Sequence, residues 1–190
     1  YMIRIAIVGD IGSGKSHIAK LFNYPVFNAD LEIIKIYKTN NLCFKNLKKK
    51  LPRYFLSFPI KKEEIIKAIT DSEKNLKKIT KIVHPEVTKK LNIFLKTNEK
   101  KTAIILDIPL FLENKLNKKK DVIIFIQSKK SEIIKRLKKR DNFNLSLLNQ
   151  FKKIQFSQSY KKKKSHYTIK NNFINKSAKI QIKKIIKKIL

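Results

Sequence analysis

An α/β fold built on a five-stranded parallel sheet, with helices on both faces, is what this 190-residue chain predicts, on three observations. The first is an apolar, β-rich run, Met2 to Val8 (MIRIAIV), that feeds into the glycine loop Gly9–Ser16 (GDIGSGKS) and then into a helical stretch, HIAKLF. The second is four further short apolar runs: Pro25–Asn28, Thr102–Ile108, Val122–Gln127 and Tyr167–Ile169. The third is that helical patterning lies between most of these runs, as the crossovers between parallel strands require.

The loop fits G-x-x-x-x-G-K-[ST], the phosphate-binding P-loop, and its flanks are the strand and helix that this motif needs. The chain has three glycines, and all of them sit here, at 9, 12 and 14. Glycine lets the backbone turn tightly and approach an anion, so that successive N–H groups form a nest for phosphate oxygens. Asp10, Ile11, Gly12, Ser13, Gly14, Lys15, Ser16 and His17 are therefore the expected nucleotide-binding stretch. Lys15 is expected to reach the β- and γ-phosphates and Ser16 to ligate Mg²⁺. The fold class that follows is the P-loop NTPase fold.

The remaining elements follow in order. Pro25–Asn28 is a short second strand that delivers Ala29 and Asp30 to the C-terminal edge of the sheet, where parallel α/β sheets bind ligands. Two readings of Asp30 stand equal at this stage: a helix N-cap, or a carboxylate that takes a proton from a substrate hydroxyl. From 31 to 100 no strand is expected. Leu42–Leu56 is basic and aromatic-bearing, and Ile60–Ile69 and Asn75–Leu95 read as amphipathic helices, the second interrupted at His84-Pro85 because a residue before proline avoids helical torsions. This is a helical insert, and His84 is either a surface histidine at a helix junction or part of a substrate site. Asp107, ending the third strand, is positioned to hold Mg²⁺ or to cap the following turn, PLFLEN. After the fourth strand, Ser131–Arg140 and Leu145–Lys164 read as a Lys/Arg-rich helical hairpin, a lid whose closure would exclude water. A last strand at Tyr167–Ile169, a turn at Asn171-Asn172 and an amphipathic helix at Ala178–Leu190 complete the chain. One domain is expected: a core of about 1–30, 101–127 and 165–190, the insert at about 31–100 and the lid at about 128–164.

Composition bounds the function. No run of 18 apolar residues suggests a membrane span, and the chain opens on a strand rather than a signal peptide. A single cysteine, Cys43, excludes an intramolecular disulfide and suits a reducing cytoplasm. The net charge of +32 raises nucleic acid as a partner, yet the lysines are spread along the whole chain, which reads as a solvated basic surface. Arginine occurs only at 4, 53, 136 and 140, so Arg136 and Arg140, four apart in one helical stretch, stand out as bidentate phosphate groups.

Taken together, these segments resemble the dephospho-CoA kinase family. GDIGSGKS is similar to that family's loop, and Asn28-Ala29-Asp30 stands where it has D-A-D. His84-Pro85 matches its H-P, PLFLEN at 109–114 its P-L-L-x-E-[NS], and RLKKRD at 136–141 its R-x-x-x-R-D; Gln155 and Asn171 keep the spacing of its trailing Q and N-N-G turn. The resemblance implies transfer of the γ-phosphoryl group of ATP, with Mg²⁺, to the ribose 3′-hydroxyl of dephospho-CoA. It implies Asp30 as base, Lys15 and Arg140 on the phosphates, Asn171 near the adenine, and His84, Pro109, Leu110 and Glu113 around the acceptor. A cytoplasmic monomer or weak oligomer is expected, with no membrane or specific nucleic-acid partner. The chain departs from the family pattern at Asn28 for Asp, at His17 for Thr, at KKEEI (61–65) for D-R-x-x-L, at Ser165-His166 for Ala-Asp, and at Phe173 for Gly. Two other functions stay open: another small-molecule P-loop kinase, for a nucleoside or nucleotide, and a nucleic-acid-binding P-loop ATPase.

Overall fold

The computed structural model describes residues 2–139 and 145–190. Among these, five strands form one sheet in the order β2-β3-β1-β4-β5, every pairing parallel. They are β1 (Ile3–Gly9), β2 (Val26–Asn28), β3 (Ala103–Asp107), β4 (Val122–Gln127) and β5 (Tyr167–Lys170). The expected strand set is thus present, and β1 takes the centre, between β3 and β4. Its near-unbroken apolar run is explained by that position. A central parallel strand is covered on both faces, so it shows no polar alternation. Helix α1 (Lys15–Leu21) packs Ile18 and Ala19 onto Ile5, Ile7, Ile105 and Ile124, and the terminal helix closes the same cluster with Ile182 and Ile185. At about 1.5–3 kcal/mol for each buried aliphatic side chain, this cluster is the main driving force for the sheet.

The chain divides into two compact units. The first comprises Tyr1–Asn28, Asn98–Phe143 and Ile154–Leu190 and carries the sheet. The second comprises Ala29–Thr97 and Asn144–Lys153 and is helical: α2 (Ala29–Thr39), α3 (Asn41–Lys50), α4 (Lys62–Asp71), α5 (Glu73–Thr97) and α7 (Leu145–Lys153). Its core joins Ile36, Cys43, Leu47, Phe55, Ala68, Ile79 and Val83. Burial, and then the nearby Glu86 carboxylate, push the Cys43 thiol up to about 11, so it sits there as a neutral apolar group.

Three expectations need correction. Helix α5 is not interrupted at His84-Pro85; it runs on for 25 residues. The proline removes its own N–H bond, but Asn75, Ile79 and Val83 keep one stripe of the helix buried, and that packing outweighs the local preference. The stretch Leu145–Lys164 is not one helix. It forms α7 and a separate α8 (Gln158–Lys163), because the Ser157 side chain accepts the Tyr160 N–H at 3.2 Å and starts a new helix there. The terminal helix, α9 (Asn175–Ile189), begins earlier than Ala178. Of the stretch expected at Ser131–Arg140, the described part forms α6 (Lys130–Lys138). Leu42–Leu56, read only as basic and aromatic, begins as α3, whose Asn40 cap accepts the Cys43 N–H at 2.9 Å.

Left-handed torsions outside glycine occur at Asn23, Leu110, Lys115 and Phe173. No helix among the described residues is long and apolar enough to cross a membrane.

Candidate active site

The glycine loop leaves the C-terminal end of the central strand and opens α1, the placement that parallel sheets give to their ligands. Two glycines are required by both torsion and space. Gly12 has φ +83°, and a Cβ there would stand 2.9 Å from Leu137 Cγ and 3.1 Å from Ile133 Cγ2. Gly14 has φ +90°, and its Cβ would stand 2.5 Å from Asn171 Nδ2. The loop is therefore pressed between α6 and the turn after β5, and no side chain fits into either gap.

The loop's own polar groups are held from within and from behind. Ser13 N–H donates to the Asp10 carbonyl at 3.1 Å, and Lys15 Nζ donates to the same carbonyl at 2.8 Å. The Ser13 carbonyl accepts both Ser128 Oγ, at 2.9 Å, and Asn171 Nδ2, at 2.8 Å. The first turn of α1 has no acidic residue, and Gly14 at its N-cap supplies no side-chain cap, so nothing there opposes an anion. Ser13 Oγ is buried without a hydrogen-bond partner among the described residues. Amides at a helix start, an ammonium and an unpaired buried hydroxyl make a donor set suited to phosphate oxygens.

Asp107 ends β3, is 3 % exposed, and accepts a 2.6 Å hydrogen bond from Asn28 Nδ2. The two residues are register partners on adjacent strands. An aspartate at 28 would set two carboxylates against each other here; asparagine donates instead. Ser16 and His17 are exposed in the first turn of α1, where His17 Nε2 meets Asn175 Oδ1 at 2.6 Å. Among the described residues no three His, Cys, Asp or Glu side chains are grouped to hold a metal. A Mg²⁺ that arrives with nucleotide phosphates needs only one or two protein oxygens, and Ser16 and Asp107 are of the right hard-oxygen type.

Glu113 and Asn171 are engaged with protein. Glu113 Oε1 accepts the Phe156 N–H at 2.9 Å and lies 3.3 Å from Lys161 Nζ. Asn171, 4 % exposed, uses its amide to brace Ser13 while its Oδ1 accepts the Phe173 N–H at 2.9 Å. Ile11, Pro109 and Leu110 are half-buried, and Leu110 takes a left-handed φ of 56°. Phe173, in place of the family's glycine, keeps a left-handed φ of 62°, and the Arg136 guanidinium lies 4.3 Å from its ring centroid. Sequence reasoning missed Ser128, Gln158, Lys161 and this stack; the Arg136 spacing was the one available signal.

Two predicted residues belong to the helical unit. Asp30 is the exposed second residue of α2, directly after β2 in the chain. His84 is exposed within α5, and partial burial of its ring lowers its pKa from the ordinary imidazole value. Arg140 lies outside the described residues.

A phosphate loop at the head of the central strand of a five-stranded parallel sheet makes this a P-loop kinase fold. Solved structures agree. A Thermus thermophilus protein aligns over 100 % of this chain and 98 % of its own at TM-score 0.83 and 23 % identity. A dephospho-CoA kinase from Campylobacter jejuni aligns over 98 % and 96 % at TM-score 0.62 and 23 % identity. The family model for dephospho-CoA kinase matches residues 3–176, so the chain belongs to the dephospho-CoA kinase family, and with it to the phosphotransferases that use an alcohol acceptor. Curated relatives include a dephospho-CoA kinase of Wolbachia sp. subsp. Brugia malayi, 29 % identical over 96 % of this chain and 95 % of its own length, and one of Prochlorococcus marinus, 28 % identical over 97 % and 91 %.

Proposed function

We propose that this chain transfers the γ-phosphoryl group of ATP to the ribose 3′-hydroxyl of dephospho-CoA, with the roles divided as follows. The loop amides of 10–17 and Lys15 hold the β- and γ-phosphates. Asp30 takes the hydroxyl proton as the ribose oxygen bonds to the γ-phosphorus, and the β–γ bridging oxygen leaves with ADP. Arg140 offsets charge on the group in transit, a role that rests on the family resemblance. Ser16, with Asp107, would hold Mg²⁺, which supplies charge neutralisation on the phosphate oxygens. The family resemblance would put His84, Pro109 and Leu110 on the acceptor, and Asn171, through its hydrogen bonds with Ser13 and Phe173, would steady the turn near the base. Such chemistry depends on positioning and electrostatics rather than on covalent catalysis. The reaction fits a cytoplasmic protein acting on small molecules as a monomer or weak oligomer.

The observation that carries this reading is the loop itself: an anion-ready backbone at the sheet's centre, in a chain matched by one kinase family over residues 3–176. The test is ADP release with dephospho-CoA, adenosine, AMP and an oligonucleotide offered in turn. Turnover is expected with dephospho-CoA. Turnover with the oligonucleotide or AMP in its stead would overturn the assignment.

A further inference from the structure

In a chain whose lysines line the surface, Lys161 is the one buried lysine among the described residues, at 3 % exposed. Its ammonium reaches three separate segments of the sheet unit. Nζ lies 3.3 Å from Glu113 Oε1, on the turn after β3; it donates to Gln155 Oε1 at 3.2 Å, ahead of α8; and it stands 4.0 Å from Asp10 Oδ1, in the glycine loop. The same Asp10 carboxylate accepts a hydrogen bond from Gln158 Nε2, one turn before Lys161 on α8. A desolvated ammonium is costly unless carboxylates surround it, and this one has two.

Asp10 joins this buried cluster to the phosphate cradle. Its side chain faces Lys161 and Gln158, while its backbone carbonyl accepts Lys15 Nζ and the Ser13 N–H. Wherever the carboxylate is held, the peptide that anchors Lys15 is held too. Glu113 is in turn fixed by the Phe156 N–H, so the cluster is tied to backbone at its far end.

We propose that Lys161 is a positioning residue for phosphate binding: acting through the Asp10 carboxylate, it sets the loop geometry that places Lys15 on the nucleotide's phosphates. This rests on the kinase reading above, and it assigns Glu113 to the support of the loop rather than to the acceptor. Because the ammonium is desolvated, its hold on Asp10 is screened by salt less than that of the chain's exposed lysines.

The test compares wild type with Lys161→Met, Asp10→Asn and the double variant, measuring MgADP affinity by calorimetry and KM for ATP and dephospho-CoA by turnover. Outer partners that orient ligand-touching groups are worth on the order of 10- to 100-fold in affinity in metal sites. A rise of about tenfold in the MgADP Kd is expected for each single variant, with the double variant no worse than either, and KM for dephospho-CoA within about twofold of wild type. An unchanged MgADP Kd in folded Lys161→Met, or additive losses in the double variant, would overturn the proposal. If Lys161→Met does not fold, Asp10→Asn decides, since its side chain is part-exposed on a loop; an unaltered Kd there overturns the proposal equally. Failure of the kinase reading would show differently, as wild type that binds MgADP but does not turn over dephospho-CoA.

Discussion

The sheet unit and the helical unit are built on different terms. In the sheet unit, Ser13, Asp107, Asp121, Lys161 and Asn171 are all buried polar residues, and four of them lie at the C-terminal ends of strands or in contact with the glycine loop. The fifth, Asp121, receives the fork of Arg4: Nη2 donates to Oδ2 at 3.1 Å and Nε lies 3.1 Å from Oδ1. In the helical unit Asn75 alone is buried and polar among the described residues, its amide donating to the Ala68 carbonyl at 2.9 Å. Buried polar groups cost free energy unless every partner is met, so they specify geometry at the expense of tolerance. The sheet unit has geometry to keep. The helical unit is held mainly by its apolar core.

The contrast can be broken at its strongest point first. Phe55→Ala empties a fully buried site in the helical core and is expected to lower stability to denaturant by about 3–5 kcal/mol, with the MgADP affinity of the folded protein unchanged. A matching loss of MgADP affinity would show that the two units are not independent in this sense. Asp30→Asn probes the one helical-unit residue assigned chemistry. It is expected to leave MgADP binding intact and lower kcat at least about 10²-fold, on the order of 2.7 kcal/mol of barrier. Wild-type kcat in that variant would remove Asp30 from the base role.

Gly14→Ala sharpens the other side. Its new Cβ would meet Asn171 Nδ2 at 2.5 Å in a left-handed backbone, so a loss of about 1–3 kcal/mol is expected, accompanied by weaker MgADP binding. Stability loss with normal affinity would mean the loop is merely packed, not shaped for a ligand. The smallest effect concerns Glu64. Burial pulls its carboxyl pKa up, but hydrogen bonds from the Leu56, Lys61 and Ser57 backbone N–H groups prevail and hold it below the ordinary value. Its stabilisation is then complete above the unfolded carboxyl pKa, about 4.3, and is lost as pH falls through the lower folded value. Glu64→Ala is expected to cost about 1 kcal/mol at pH 7 and progressively less below pH 4. A cost that does not change with pH would assign the effect to packing instead.

How much was legible follows the same division. The strands and the glycine loop could be read directly, since a parallel sheet writes itself as apolar runs and a phosphate loop as fixed spacing. The helical insert was legible as a whole but not at Pro85, where a buried stripe of Asn75, Ile79 and Val83 carries the helix through. Lys161 was invisible because it looks like every other lysine in a lysine-rich helix; only its depth distinguishes it. The Asn171 amide donates to the Ser13 carbonyl, a contact 158 positions away in sequence that no local pattern encodes. Asn28 was legible as a departure from the family's aspartate, but the carboxylate its amide meets, Asp107, is supplied by the strand register.

Among the described residues, four turns bend through left-handed backbone on Asn23, Leu110, Lys115 and Phe173, at roughly 1–2 kcal/mol apiece for residues bearing a Cβ. Glycine would relieve each of them and is used at none. It is kept solely where an added carbon would collide: with Ile126 O at position 9, with Leu137 at 12, with Asn171 at 14. In this molecule, then, glycine marks where neighbouring atoms leave no room for a Cβ, and its three occurrences trace where the loop is pressed against β4, α6 and the turn after β5.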